Sequence, residues 1–187
     1  TAVDFLAPFL ERLERDAARE GLSERIETVC ASMAALPFEA GAFDAIWSEG
    51  AIYNMGFAAG ISAWRRFLKP GGVLAVSELT WLTAERPEAL TAHWNAEYPE
   101  VGPPSAKIAQ LEAAGYVLLG YFPLPRRCWM ENYYAPIRAR LPDFVARHAG
   151  SEAAAAIAAA EEAEIALYER YGDFVSYGFY VAQRTQD

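Results

Sequence analysis

Apolar and polar positions alternate along this chain with two periods, and each switch between them marks an element. "PFLERLERDAARE", from Pro8 to Glu20, sets Phe9, Leu10 and Leu13 on one face and charges elsewhere. That predicts an amphipathic helix with Gly21 as its stop. The residues ahead of it, "TAVDF", read as the end of a buried strand. Arg25 to Cys30 alternates and is β-branched enough for a short strand. A loop, "ASMAALPFEAGA", leads into Phe43 to Ser48, an almost wholly apolar run of the kind that suits a parallel strand buried on both faces.

"FAAGISAWRRFLKPGG" predicts a helix with Ile61, Trp64, Phe67 and Leu68 at helical spacing, then a tight turn at Pro70, Gly71 and Gly72. Val73 to Leu79 is the next strand. Thr80 to Pro104 mixes short helix with loop, and Ser105 to Gly115 predicts a helix capped by its serine and closed by its glycine. "YVLLGYFPLP" follows as a strand, and "RRCWMENYYAPIRARLPDF" as an irregular aromatic stretch. Ser151 to Gly172 is alanine-rich and of high helix propensity, with Ile157, Ile165, Leu167 and Tyr168 supplying an apolar side. Asp173 to Arg184 is a final aromatic strand. This order of elements is α/β with a mainly parallel sheet. The expectation is a single domain over residues 1–187, with a helical and aromatic insertion at about 124–172.

Composition narrows the classes. The chain has 187 residues, an apolar fraction of 53% and an aromatic fraction of 13%, enough for one sizeable core. A formal net charge of -9 argues against a phosphate-backbone binder, so no nucleic-acid partner is expected. Cys30 and Cys128, with His93 and His148, form no metal-ligand spacing, and no metal is expected. No apolar run has the length of a membrane helix and nothing resembles a signal peptide, so the expectation is a reduced cytoplasmic protein without a membrane partner.

In an open α/β sheet, ligands bind beyond the carboxyl ends of the strands. Three strand ends carry polar groups: Asp4; Ser48, Glu49 and Gly50; and Ser77 with Glu78. Asp4 has the character of an acid that accepts hydrogen bonds from a ribose diol. The bland alternatives are a helix cap for Asp4 and a sheet edge meeting water for the two glutamates.

With the text between them, these ends carry a resemblance. "AVDF", "CASMAALPFEAGAFDAIWSEGAIYNMG" and "WRRFLKPGGVLAVSELTW" resemble the class I S-adenosylmethionine-dependent methyltransferases, most closely small-molecule enzymes of the ubiquinone/menaquinone-biosynthesis type. The resemblance implies a Rossmann-like methyltransferase fold whose mainly parallel sheet ends on an antiparallel strand. It implies S-adenosylmethionine as cofactor, S-adenosylhomocysteine as product and a small molecule as methyl acceptor. By the same resemblance Asp4, with Phe5 beside it, holds the ribose. Ser32 and Met33 lie along the adenine, Ser32 standing where an Asp is usual. Ser48, Glu49 and Gly50 form the floor beside the methionine moiety, and Tyr53 and Asn54 lie at the mouth near the substrate.

Methyl transfer from a sulfonium is a direct displacement that needs proximity, in-line orientation and, for a protonated nucleophile, a general base. Glu49 and His93 are the candidate bases and Tyr53 a candidate orienting hydroxyl; the alternative for His93 is a surface histidine on a short helix. Trp129 and Tyr133, with Tyr134, are candidate walls over the substrate, or else packing for the insertion. Arg126 and Arg127 are adjacent, and on an extended chain at most one of them faces a pocket.

One departure stands against the family pattern. A glycine-rich loop normally precedes the strand-tip acid by about 20 residues, whereas only Thr1, Ala2 and Val3 precede Asp4. The expectation is a piece of a longer protein, without the central strand, glycine loop and first helix. Its exposed strand edges then invite pairing with another chain and a possible homodimer. Two other readings stand beside it: a cofactor-free remnant acting as an interaction module, and a nicotinamide-dependent oxidoreductase, which would also need the glycine fingerprint.

Overall fold

The computed structural model describes residues 1–186. Its strands form two separate sheets. In the first, β1 (Ala2–Asp4) pairs in parallel with β2 (Thr28–Cys30), and α1 (Ala7–Arg19) joins them. Leu10, Leu13 and Ala17 turn inward from α1, whereas Phe9 is exposed. Of the residues expected to begin β2, Arg25 instead ends a turn of 3-10 helix, Ser23–Arg25, and Ile26 and Glu27 lead from it into the strand.

The second sheet has four strands in the order β3 (Phe43–Ser48), β4 (Leu68–Trp81), β6 (Val175–Arg184), β5 (Tyr116–Pro123). β3 runs parallel to β4, and β6 runs antiparallel to both of its neighbours. The antiparallel last strand is therefore as expected. Burial on both faces belongs to β4; β3 is an edge strand, and Trp47 on it is 70% exposed. The open edges of β1 and β3 border the same large cavity.

The "KPGG" turn lies inside β4 rather than before it. Phe43 pairs with Leu68 but Ala45 pairs with Val73, so Lys69–Gly72 bulge out opposite Asp44 alone. Gly71 takes φ +76°, and a Cβ on Gly72 would stand 2.9 Å from the Lys69 carbonyl oxygen, which is why only glycine fits both places. The strand then continues past Leu79 to Trp81, so Ser77 and Glu78 are interior residues and not its end.

Two cores sit at the two ends of β4 and β6. In one, α2 (Phe57–Arg65) and α4 (Pro104–Ala113) lay Phe57, Ile61, Trp64 and Leu111 against Leu74, Val76 and Tyr180. α4 begins on Pro104 at its first turn and uses no serine side-chain cap; proline suits that position because its missing N–H would be unpaired there anyway. In the other core, Leu79, Trp81 and Val175 meet Leu90 of α3 (Glu88–Glu97) and the helices between β5 and β6.

Those helices correct the expectation of an irregular aromatic stretch. Arg126–Trp129 (α5) runs through a π-helical turn, Met130–Tyr134, into α6 (Ala135–Arg147). Trp129 stacks on Tyr134, Tyr168 and Tyr177 at 5.7, 4.9 and 5.0 Å between ring centroids, so the aromatic spacing served tertiary packing that periodicity does not register. α7 (Glu152–Tyr171) is capped by Ser151 and buries Ile165 and Tyr168, while Ile157 faces outward. Among the described residues no helix is long and apolar enough to cross a membrane, both cysteines are free thiols, and no group of three or more His, Cys, Asp or Glu is placed to hold a metal ion.

Candidate active site

Two cavities open at the carboxyl ends of β1, β2, β3 and the neighbouring loops. The larger, about 920 Å3, has Asp4, Phe5, Ser32, Met33, Ser48, Glu49 and Asn54 in its wall. The smaller, about 520 Å3, has Glu49, Gly50, Tyr53, Trp129 and Tyr133. The two therefore share Glu49.

Local structure explains how these groups are held. Asp4 ends β1, and its Oδ1 accepts a 2.7 Å hydrogen bond from the Leu6 N–H at the entry to α1. Asp4 thus braces the chain just ahead of the helix with one carboxylate oxygen, and its other oxygen has no protein partner among the described residues. Ser32 and Met33 sit in a turn closed by the Ala35 N–H on the Ser32 carbonyl, and the Trp64 indole N–H holds the Met33 carbonyl at 3.0 Å. Gly50 takes φ +55° and donates its N–H to Ser77 Oγ at 2.8 Å, fixing the loop after β3 to β4. Glu49 itself is exposed, and its Oε1 accepts a 2.6 Å bond from the Trp47 indole.

Not every expected residue arrives. His93 lines neither cavity; its ring packs at 5.0 Å against that of Trp94. Tyr134 is buried behind the smaller cavity, where its hydroxyl donates to Glu164 at 2.9 Å. Arg126 turns to the Glu169 carbonyl and to Asp173, and neither it nor Arg127 lines a cavity.

Other residues of the smaller cavity were not anticipated: Trp94, Glu97, Tyr98, Glu164 and Tyr177. The first three stand in "HWNAEYP", where an acid between aromatics was the available signal. Glu164 lies in the alanine-rich helix, where any single glutamate reads as a solvated face. Tyr98 donates a 2.6 Å hydrogen bond to Glu78 Oε1, and burial and the carboxylates of Glu78 and Glu100 push its hydroxyl well above the usual tyrosine range. Burial likewise raises Tyr133 and Tyr177, so these rings present neutral hydroxyls at physiological pH.

The comparisons with known proteins agree on the architecture. Residues 1–76 match the family described as a methyltransferase domain. A solved S-adenosylmethionine-dependent methyltransferase from Geobacter sulfurreducens, in complex with S-adenosylhomocysteine, superposes with a TM-score of 0.80 at 17% identity over 96% of this chain and 73% of its own. YjhP from E. coli also gives 0.80, at 20% identity, over 98% of this chain and 75% of its own. The chain has the fold of the class I S-adenosylmethionine-dependent methyltransferases. The (4+2)-cyclase SpnF shares this methyltransferase fold at 26% identity and a TM-score of 0.70, over 92% of this chain. The chain spans 61% of the length of SpnF. No curated protein matches it.

Proposed function

We propose that this chain binds S-adenosylmethionine in the larger cavity and transfers its methyl group to a small molecule in the smaller one. The observation that carries the reading is the shared wall at Glu49, since displacement requires donor and acceptor to meet at one point. The cofactor supplies an electrophilic methyl on a positively charged sulfur.

The chain's own groups fit that role. The free oxygen of Asp4 accepts from the ribose, and the turn at Ser32 and Met33 presents backbone and hydroxyl to the adenine. Ser48 lines the larger cavity and Gly50 the smaller, on either side of Glu49. Glu49 faces the positive charge and takes a proton from the acceptor where it carries one. Tyr53, with Asn54 on the other side, borders the acceptor's approach. His93 has no part in this scheme.

Calorimetric titration with S-adenosylhomocysteine tests the first half; absence of binding defeats the reading. Because SpnF carries this fold under the name of a cyclase, fold alone does not settle the chemistry. Transfer of a labelled methyl group is the deciding measurement for the second half.

A further inference from the structure

The smaller cavity has an uneven chemistry. Its walls include the rings of Trp94, Tyr98, Trp129 and Tyr177 and the more exposed rings of Tyr53 and Tyr133; Trp129 and Tyr177 are locked by stacking on each other at 5.0 Å, with 11° between planes. Its charged groups are all acids, Glu49, Glu97 and Glu164, and no Lys, Arg or His is in its wall. None of the three carboxylates forms an ion pair among the described residues. Glu164 receives a hydrogen bond from Tyr134, which orients the carboxylate without neutralising it.

Uncompensated negative charge beside aromatic faces repels anions and attracts cations, because the ring quadrupole adds to the Coulomb term. Diphosphates and carboxylates find no counter-charge here. We propose that the methyl acceptor is a small organic amine, held as its ammonium form between these rings and carboxylates. The proposal rests on the methyltransferase reading of the same site.

The chemistry closes. The ammonium gives its proton to Glu49, the carboxylate common to both cavities, and the freed nitrogen lone pair becomes the nucleophile. The N–C bond forms as the S–C bond breaks with its electron pair left on sulfur, so the positive charge moves from sulfur to nitrogen. The charge thus arrives where the ring faces are, and interactions that strengthen as charge develops are the ones that accelerate transfer.

The test is calorimetric titration of the chain, with and without S-adenosylhomocysteine. The probes are choline, the uncharged alcohol in which carbon replaces its quaternary nitrogen, and acetate. Choline is expected to bind about tenfold or more tighter than the isosteric alcohol, as desolvated cation–π contacts do, and acetate not at all. Glu164→Gln, which keeps an acceptor for Tyr134, is expected to weaken choline severalfold and leave the alcohol unchanged. Equal affinity for choline and the alcohol, preference for acetate, or binding of neither choline nor the alcohol overturns the proposal. Charge-selective choline binding without uptake of S-adenosylhomocysteine would keep the amine site and remove the methyltransferase reading; uptake of S-adenosylhomocysteine without charge selectivity would do the reverse.

Discussion

Lys107 and Glu78 form a 2.8 Å ion pair in the interior, with both side chains almost wholly out of solvent. Burial pushes the Glu78 carboxyl up, while Lys107 and the Tyr98 hydroxyl pull it back. Lys107 also donates to the Glu100 carbonyl at 2.9 Å and lies 4.9 Å from the centre of the Phe57 ring. Removing one partner leaves the other charge stranded. Lys107→Met is expected to cost about 3–5 kcal/mol in urea unfolding, and adding Glu78→Leu to recover most of it. A double variant no more stable than the single one would show that the pair is not coupled in this way.

Because Glu78 anchors Tyr98, the pair also sets a wall of the smaller cavity. Tyr98→Phe keeps the ring but loses the tether, and is expected to raise the acceptor KM about threefold to tenfold, in line with one lost hydrogen bond, with kcat little changed. A fall in kcat alone would place Tyr98 in the chemical step instead.

Glu49→Gln separates cofactor binding from proton removal. S-adenosylhomocysteine affinity is expected to stay within about threefold, and methyl transfer to fall by about 100-fold, the lower range for a lost general base. Unchanged transfer would mean the proton leaves by another route.

Asp4→Asn keeps an oxygen for the Leu6 N–H and removes the charge. Charge-assisted hydrogen bonds contribute about 1.5–3 kcal/mol, so S-adenosylhomocysteine affinity is expected to drop by about tenfold to a hundredfold with helix content unchanged in circular dichroism. Intact affinity would leave Asp4 only its local bond to the Leu6 N–H.

Alkaline stability follows from the buried phenols. Burial raises Tyr168 to about 12 and pushes Tyr98, Tyr116, Tyr134, Tyr177 and Tyr180 up as well. An unfolded tyrosine releases its proton near pH 10, before the folded one does. Their contribution is therefore complete below about pH 10 and is lost above it, by about 1.4 kcal/mol per pH unit for each such group. Tyrosinate absorbance should appear together with loss of helix signal. Gradual ionisation of all tyrosines in the folded protein would contradict this.

Much of the fold was legible because local signals agreed. Phe43–Ser48 appears with the bounds its apolar run implied, and Gly21 and Gly115 close their helices with positive φ. The alanine-rich run appears as α7, with Ser151 Oγ accepting from the Ala154 N–H at its start. What escaped was tertiary in origin. "WMENYY" is helical because its rings find partners on α7 and β6, and Glu78 is interior because Lys107, almost thirty positions on, meets it. The residues of the larger cavity were readable as strand ends. The unanticipated residues of the smaller one come from α3 and its end, α7 and β6, and nothing in the linear order brings them together.

The two sheets present unsatisfied backbone edges to each other across the larger cavity, with Phe5, Leu6 and Trp47 exposed around it. An ordinary sheet edge offers an incoming strand one row of donors and acceptors; here β1 and β3 offer one on either side. An extended peptide entering that space would be stitched along both flanks while covering apolar rings. An added strand and a second copy of the chain would therefore compete for the same two edges, and whichever filled them would shut out the other.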